Sequence, residues 1–108
     1  MKPLWYYILL ALAAADRHGQ AIAREISHLS GGQVRPWPAT LYGALDELGQ
    51  HGWIDELSNK RRPADESLRR RFYQLTPAGR AALAVETDRL AAIVNLARRR
   101  VRAGAESR

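Results

Sequence analysis

The sequence predicts a mostly α-helical chain with one small β-hairpin and a single long C-terminal helix. Three observations carry that expectation. Apolar residues recur at helical spacing in three short segments ahead of Gly52. After Gly52 the pattern shifts toward β-favouring residues on either side of a polar, basic connection. From Thr76-Pro77 an Ala-rich stretch then runs on without another proline.

The first segment, Leu4 to Ala15, is an unbroken apolar run of twelve residues preceded by Lys2. Its length matches the hydrophobic stretch of a signal peptide and is too short to span a bilayer. One positive charge ahead of the run and the bulky Trp5-Tyr6-Tyr7 within it speak against cleavage. The expected element is a helix apolar on nearly every side, which must be covered on more than one face.

From Gln20 to Ser30, Ile22, Ile26 and Leu29 fall on one helix face, and Gly31-Gly32 closes the helix. From Thr40 to His51, Leu41, Leu45 and Leu48 repeat that spacing up to Gly52. Pro36-Trp37-Pro38 forbids helix before Ala39, because each proline biases its predecessor toward extended backbone. Trp53 to Leu57 and Arg69 to Leu75 read as the strands of a two-stranded hairpin with a long basic tip.

Thr76-Pro77 supplies a hydroxyl N-cap and a proline at the first helical position, for a helix reaching about Arg102. Within it Leu83, Thr87, Leu90, Val94, Ala97 and Val101 alternate steps of four and three, a heptad seam with one polar member. Three helices and a hairpin are expected to close their own core by Leu75. The seam then needs another surface, and a second copy of the chain is the economical supplier. Leu4 and Ile8 join the seam as expected interface residues of a homodimer.

Composition narrows the function. The 108 residues allow one compact unit, and 46% hydrophobic content is enough for a core. With no cysteine there is no disulfide framework, thiolate metal site or thiol nucleophile. The net charge of +6 is unevenly spread: residues 1–59 hold four basic and six acidic side chains, residues 60–108 thirteen and five. A basic arm on a near-neutral domain points to an anionic partner. His18, His28 and His51 stand near no serine or carboxylate constellation and form no i, i+4 ligand pair. Each reads as a surface or capping residue. There is no glycine-rich phosphate loop, so no enzyme activity, cofactor or metal is expected.

The order helix, helix, turn, helix, hairpin is that of a winged helix-turn-helix, whose third helix enters the major groove while the hairpin lies along the backbone. Residues 1–76 form the expected DNA-binding domain, and residues 77–108 the dimerisation helix with a basic tail. Arg35, Ala39, Thr40, Tyr42 and Gly43 are the candidate contacts at the third helix. That helix carries no Arg or Lys to grip guanine, and Asp46-Glu47 would repel phosphate. Tyr42 can alternatively be a half-buried aromatic and Thr40 a helix cap. Lys60, Arg61, Arg62, Arg69, Arg70 and Arg71 of the hairpin either contact phosphates or simply keep that face solvated. Arg98, Arg99, Arg100 and Arg102 complement a helix C-terminus and need no DNA to explain them.

His18-Gly19, Gly31-Gly32-Gln33-Val34, Pro38-Ala39-Thr40-Leu41-Tyr42, Gly52-Trp53-Ile54 and Arg69 through Arg80 together resemble the PadR family of bacterial transcriptional regulators. The likeness covers about residues 4 to 100. Its most specific pieces are the Thr40-Leu41-Tyr42 helix start and the Tyr73-x-Leu75-Thr76-x-x-Gly79 exit from the hairpin. The single C-terminal helix is similar to the compact subfamily. Three features depart from the pattern: Gln20 in place of an aromatic, Trp37 in place of a small or polar residue, and a hairpin tip without glycine, lengthened by Pro63 to Ser67.

The resemblance implies a dimeric winged-helix repressor released from its operator by a small aromatic or drug-like effector. The two-fold symmetry of a homodimer then demands an inverted-repeat site in double-stranded DNA, and the chain reads as cytoplasmic and without membrane association. Trp5, Tyr6 and Leu90 are the candidate effector pocket, although rings at Trp5, Tyr6 and Tyr7 can equally serve only to pack the interface. Two other readings are a drug-sequestering protein without an operator, and a module whose basic hairpin docks an acidic protein.

Overall fold

The computed structural model describes residues 1–57 and 71–106. The elements run α1 (Pro3–Ala14), β1 (Arg17–His18), α2 (Gly19–Leu29), α3 (Pro38–Gln50), β2 (Ile54–Glu56), β3 (Phe72–Leu75) and α4 (Pro77–Glu106). This is a winged helix-turn-helix followed by one long helix. The expected two-stranded hairpin is in fact two strands of a three-stranded antiparallel sheet in the order β1-β3-β2. Arg17 lies opposite Tyr73 and His18 opposite Phe72, while Ile54 faces Leu75. A strand of two residues carries no period, so β1 leaves no trace in the hydrophobic pattern.

Local chemistry explains the helix ends. The Nδ1 of His18 accepts the Ala21 N–H at 3.2 Å, so this histidine caps α2. At the other end Gly31 and Gly32 take φ of 62° and 82°, which side chains disfavour, and the Gly32 N–H returns to the Ser27 carbonyl at 2.7 Å. The Ser30 hydroxyl accepts the Val34 N–H at 2.9 Å and holds that turn. α3 begins at Pro38, one residue earlier than Ala39, since proline at the first helical position loses no hydrogen bond. α4 runs past Arg102 to Glu106, as no proline stops it.

Ile8, Leu9, Ala11 and Leu12 of α1 meet Ile22 and Ile26 of α2, Leu41, Leu45 and Leu48 of α3, and Ile54 and Tyr73 of the sheet. Leu29 stays exposed on the last turn of α2, ahead of the glycine turn. The core does not close at Leu75. Leu83 of α4 is buried in it, and the Tyr6 hydroxyl bonds the Thr87 hydroxyl at 2.8 Å. α1 is therefore covered by α2, α3, the sheet and α4, which accounts for its apolarity all round. Ile8 and Leu83, expected between two chains, are instead buried within one, because α4 packs on α1 before it leaves the domain.

Beyond Leu90 the helix overhangs. The molecule measures 61 × 27 × 22 Å, and the long axis reflects that overhang. Ile93, Val94 and Val101 are 50%, 45% and 75% exposed there. Where α4 meets α1, Glu86 is buried and held by Arg89 at 2.6 and 2.8 Å, and the hydrogen bonds from Arg89 lower its carboxyl to about 2.

Tyr73 offers a spectroscopic test of the packing. Its hydroxyl is buried without a hydrogen-bond partner among the described residues, and burial pushes the phenol from the ordinary 10 up to about 12. The neutral form is favoured in the folded state, so this contribution to stability is complete below pH 10 and is lost as the pH rises through 12. In an ultraviolet titration at 295 nm, one tyrosine of the four is expected to ionise late and with a concerted loss of helix. A Tyr73→Phe variant lacks the late step.

Candidate nucleic-acid interface

The glycine turn sets α3 across α2 and leaves one face of α3 open. Leu41, Ala44, Leu45 and Leu48 point into the core, while Ala39, Thr40, Tyr42, Gly43 and Asp46 are exposed, as is Arg35 ahead of the helix. Gly43 has open space where a side chain would stand. α3 has no side-chain cap and no acidic residue in its first turn, so its leading amides face solvent as a weakly positive end.

Tyr42 is packed against its own domain and still partly exposed. Its ring lies directly on the backbone of Gly19, at the start of α2, with Cζ 2.7 Å from where a side-chain carbon at Gly19 would be. The residue is nevertheless 37% exposed. Glycine at position 19 is what lets the hydroxyl end of the ring abut α2 while part of the residue stays exposed.

The acidic pair that argued against a nucleic-acid face is compensated locally. Lys2 donates to the Glu47 carboxylate at 3.1 Å, and an Arg71 nitrogen lies 3.9 Å from Asp46. Neither partnership is legible in sequence, because Lys2 and Glu47 are 45 positions apart. Arg71 itself, expected on phosphate, is turned toward its own domain. It donates to Glu56 at 3.0 and 3.4 Å and lies over the Tyr73 ring, and these contacts raise its already high pKa. Lys60, Arg61, Arg62, Arg69 and Arg70 lie outside the described residues.

The aromatic residues of α1 separate. Trp5 points toward the end of α3, where its ring meets His51 at 5.1 Å and Trp53 at 5.8 Å, both edge-on. Lys2 sits 5.1 Å above it. Tyr6 and Tyr7 instead line a cleft of about 320 Å³ with Leu90, Met1, Pro3, Glu86 and Arg89. Trp5 is not among the residues that line this cleft. Among the described residues no group of three His, Asp or Glu is placed to hold a metal ion. No helix there is long and apolar enough to cross a membrane.

The junction between the hairpin and α4 explains the most specific sequence motif. The Thr76 hydroxyl donates to the Gly52 carbonyl at 2.6 Å and accepts the Gly79 N–H at 3.0 Å. The Thr76 N–H reaches the Trp53 carbonyl at 3.1 Å. That same carbonyl presses against the Cα of Gly79, where no side chain fits. Sequence reasoning identified the cap. It gave no reason for the glycine, since the contact is between backbones.

Comparison with known proteins agrees with this architecture. A transcriptional regulator from Clostridium thermocellum superposes with a TM-score of 0.74 at 22% identity, over 89% of this chain and 87% of that one. PadR of Bacillus subtilis, solved in complex with operator DNA, superposes with a TM-score of 0.66 at 22% identity, over 80% of this chain and 47% of that one. An uncharacterized 37.1 kDa protein in transposon TN4556 of Streptomyces fradiae is 39% identical over 84 residues, and the chain spans 22% of that relative's length. Residues 8–85 match the model of the PadR-like transcriptional regulators, a match that includes the glycine turn, all of α3 and the Thr76–Gly79 junction. The chain belongs to the PadR-like family of transcriptional regulators.

Proposed function

We propose that this regulator is a cytoplasmic homodimeric repressor that binds an inverted-repeat operator in double-stranded DNA and is released by a flat aromatic effector. The observation that carries the reading is the outward face of α3. Thr40, Tyr42 and Gly43 are open there, Arg35 precedes them, and the acids Glu47 and Asp46 are engaged by Lys2 and Arg71. Hydroxyls at Thr40 and Tyr42 can bond base edges or phosphate, and Gly43 permits close approach. The relative from Bacillus subtilis solved on operator DNA supports the same use of the fold.

Residues 1–76 supply the DNA-binding unit in this reading, and residues 77–108 the dimer contact and basic tail. The apolar stretch of partly covered Leu90 and exposed Ile93, Val94, Ala97 and Val101 supports assembly through α4. Thr87 is exposed about one turn ahead of that stretch, and Leu4 of α1 is partly buried. The effector has the cleft beside Tyr6, Tyr7 and Leu90, with Arg89 and Glu86 at its polar end.

Selection of bound fragments from random duplex DNA tests the reading. Recovery of a two-fold symmetric site, with half-sites about one helical turn or a multiple apart, is the expected result. Thr40→Ala should narrow the gap between that site and random duplex. Neutralising a hairpin cation that meets phosphate should instead weaken both and flatten the log–log salt dependence by roughly 0.9. Failure to recover any site, with binding abolished by acidic competitors, would move the chain to the class of acidic-partner modules.

A further inference from the structure

Of the three tryptophans, two are accounted for by the aromatic cluster at the end of α3. The third is not. Trp37 is 79% exposed, the most exposed of the large apolar side chains among the described residues. It stands at the N-cap of α3 yet makes no side-chain cap there. The fold gains nothing visible from an indole at this position.

Its backbone, by contrast, is held firmly. Pro36 and Pro38 flank it, and Trp37 takes φ −63° and ψ 148°, the extended geometry that a following proline enforces. The Trp37 carbonyl accepts the Leu41 N–H at 2.9 Å, which ties it to the first turn of α3. The indole is therefore carried on a rigid mount, and little chain entropy is lost when it meets a surface. That surface is continuous with the face of α3 described above, as Arg35, Ala39 and Thr40 are exposed on either side of it. No acidic residue occupies the first turn.

We infer that Trp37 is a specificity-determining contact that reads the 5-methyl group of a thymine in the major groove. The inference rests on the DNA-binding reading above. The leading residues of a recognition helix are those that reach base edges. In the major groove the thymine methyl is the one apolar group that a base edge presents, and an apolar side chain is its complement. An indole on a fixed mount supplies that complement with its face, while its N–H can meet the acceptors N7 or O4 nearby. Contact with the backbone alone would not need a large aromatic.

The test uses the duplex site recovered by the full-length wild type, and copies in which each thymine in turn is replaced by deoxyuridine. Loss of the methyl at one symmetric pair of positions is expected to weaken the wild type by about fivefold or more, toward the lower end of what a base contact provides. Trp37→Ala should bind the thymine site correspondingly less well and be indifferent to the deoxyuridine change at those positions. Trp37→Phe should keep part of the discrimination. Trp37→Ala that binds the thymine site as tightly as wild type overturns the inference. So does a variant weakened equally on thymine and deoxyuridine duplexes, which marks a backbone contact. If the wild type recovers no site at all, it is the DNA-binding reading that fails, and that outcome is visible before any variant is made.

Discussion

Gly79→Ala is expected to lower the melting temperature by more than about 5 °C, in a helix where alanine would ordinarily add stability. On an exposed helix surface the same exchange gains about 1 kcal/mol from backbone entropy and propensity. At Gly79 the new carbon would press into the Trp53 carbonyl and lie 2.8 Å from Leu75 Cδ1. The carbonyl belongs to a backbone fixed by the Thr76 N–H at 3.1 Å and by the Trp53 N–H on the Leu48 carbonyl at 3.1 Å. It cannot swing aside as a side chain would. Overpacking of this kind costs about 1–3 kcal/mol or more, and for a chain of this size each kcal/mol is worth about 4–8 °C. Gly49→Ala is the control, because nothing lies within 4 Å of its added carbon. Thermal melts that rise for Gly49→Ala and fall for Gly79→Ala bear out the account. A rise in both would show that the hairpin–helix junction yields easily.

The second large effect concerns assembly. In the proposed dimer, a Leu90→Glu/Val94→Glu double variant should halve the mass in solution while its helical circular dichroism below the overhang persists. Val94 is 45% exposed in the single chain and Leu90 is partly covered, so carboxylates there meet water in a monomer but would be buried unpaired in a dimer. Burying an unpaired charge costs several kcal/mol per ion, enough to move a micromolar association out of reach. Operator affinity should fall with it, because two half-sites would no longer be engaged together. A wild type that sediments as a monomer at micromolar concentration removes α4 from the proposal.

Much of the fold is legible in the sequence because the signals are local. The three-leucine stripe of α3, the glycine turn after α2 and the Thr76-Pro77 start each depend on neighbours within about two helical turns. What the sequence misplaces is long-range. β1 pairs with β3 across the chain, and no period of two residues can announce it. Leu83 lies on the heptad seam but is buried by α1 rather than by another copy, since a seam does not say what covers it. At the candidate site the exposed positions of α3 follow from its periodicity, whereas the pairing of Glu47 with Lys2 depends on the tertiary fold. Trp37 was visible as an unusual residue before a helix. Only its exposure turned the oddity into a role.

The bond between Tyr6 and Thr87 joins positions 81 apart. α1 thus leaves the ribosome well before the segment that completes its cover. Until α4 follows, the flank of α1 that Leu83 will cover remains open, beside Ile8 and Leu9 of the core. Closing so long a loop is entropically slow and is rewarded only when the last contacts form, which delays the completion of this core until α4 is available. A nascent chain stalled before Leu83 would carry a strongly apolar helix partly bare, and that intermediate is the form most in need of a chaperone.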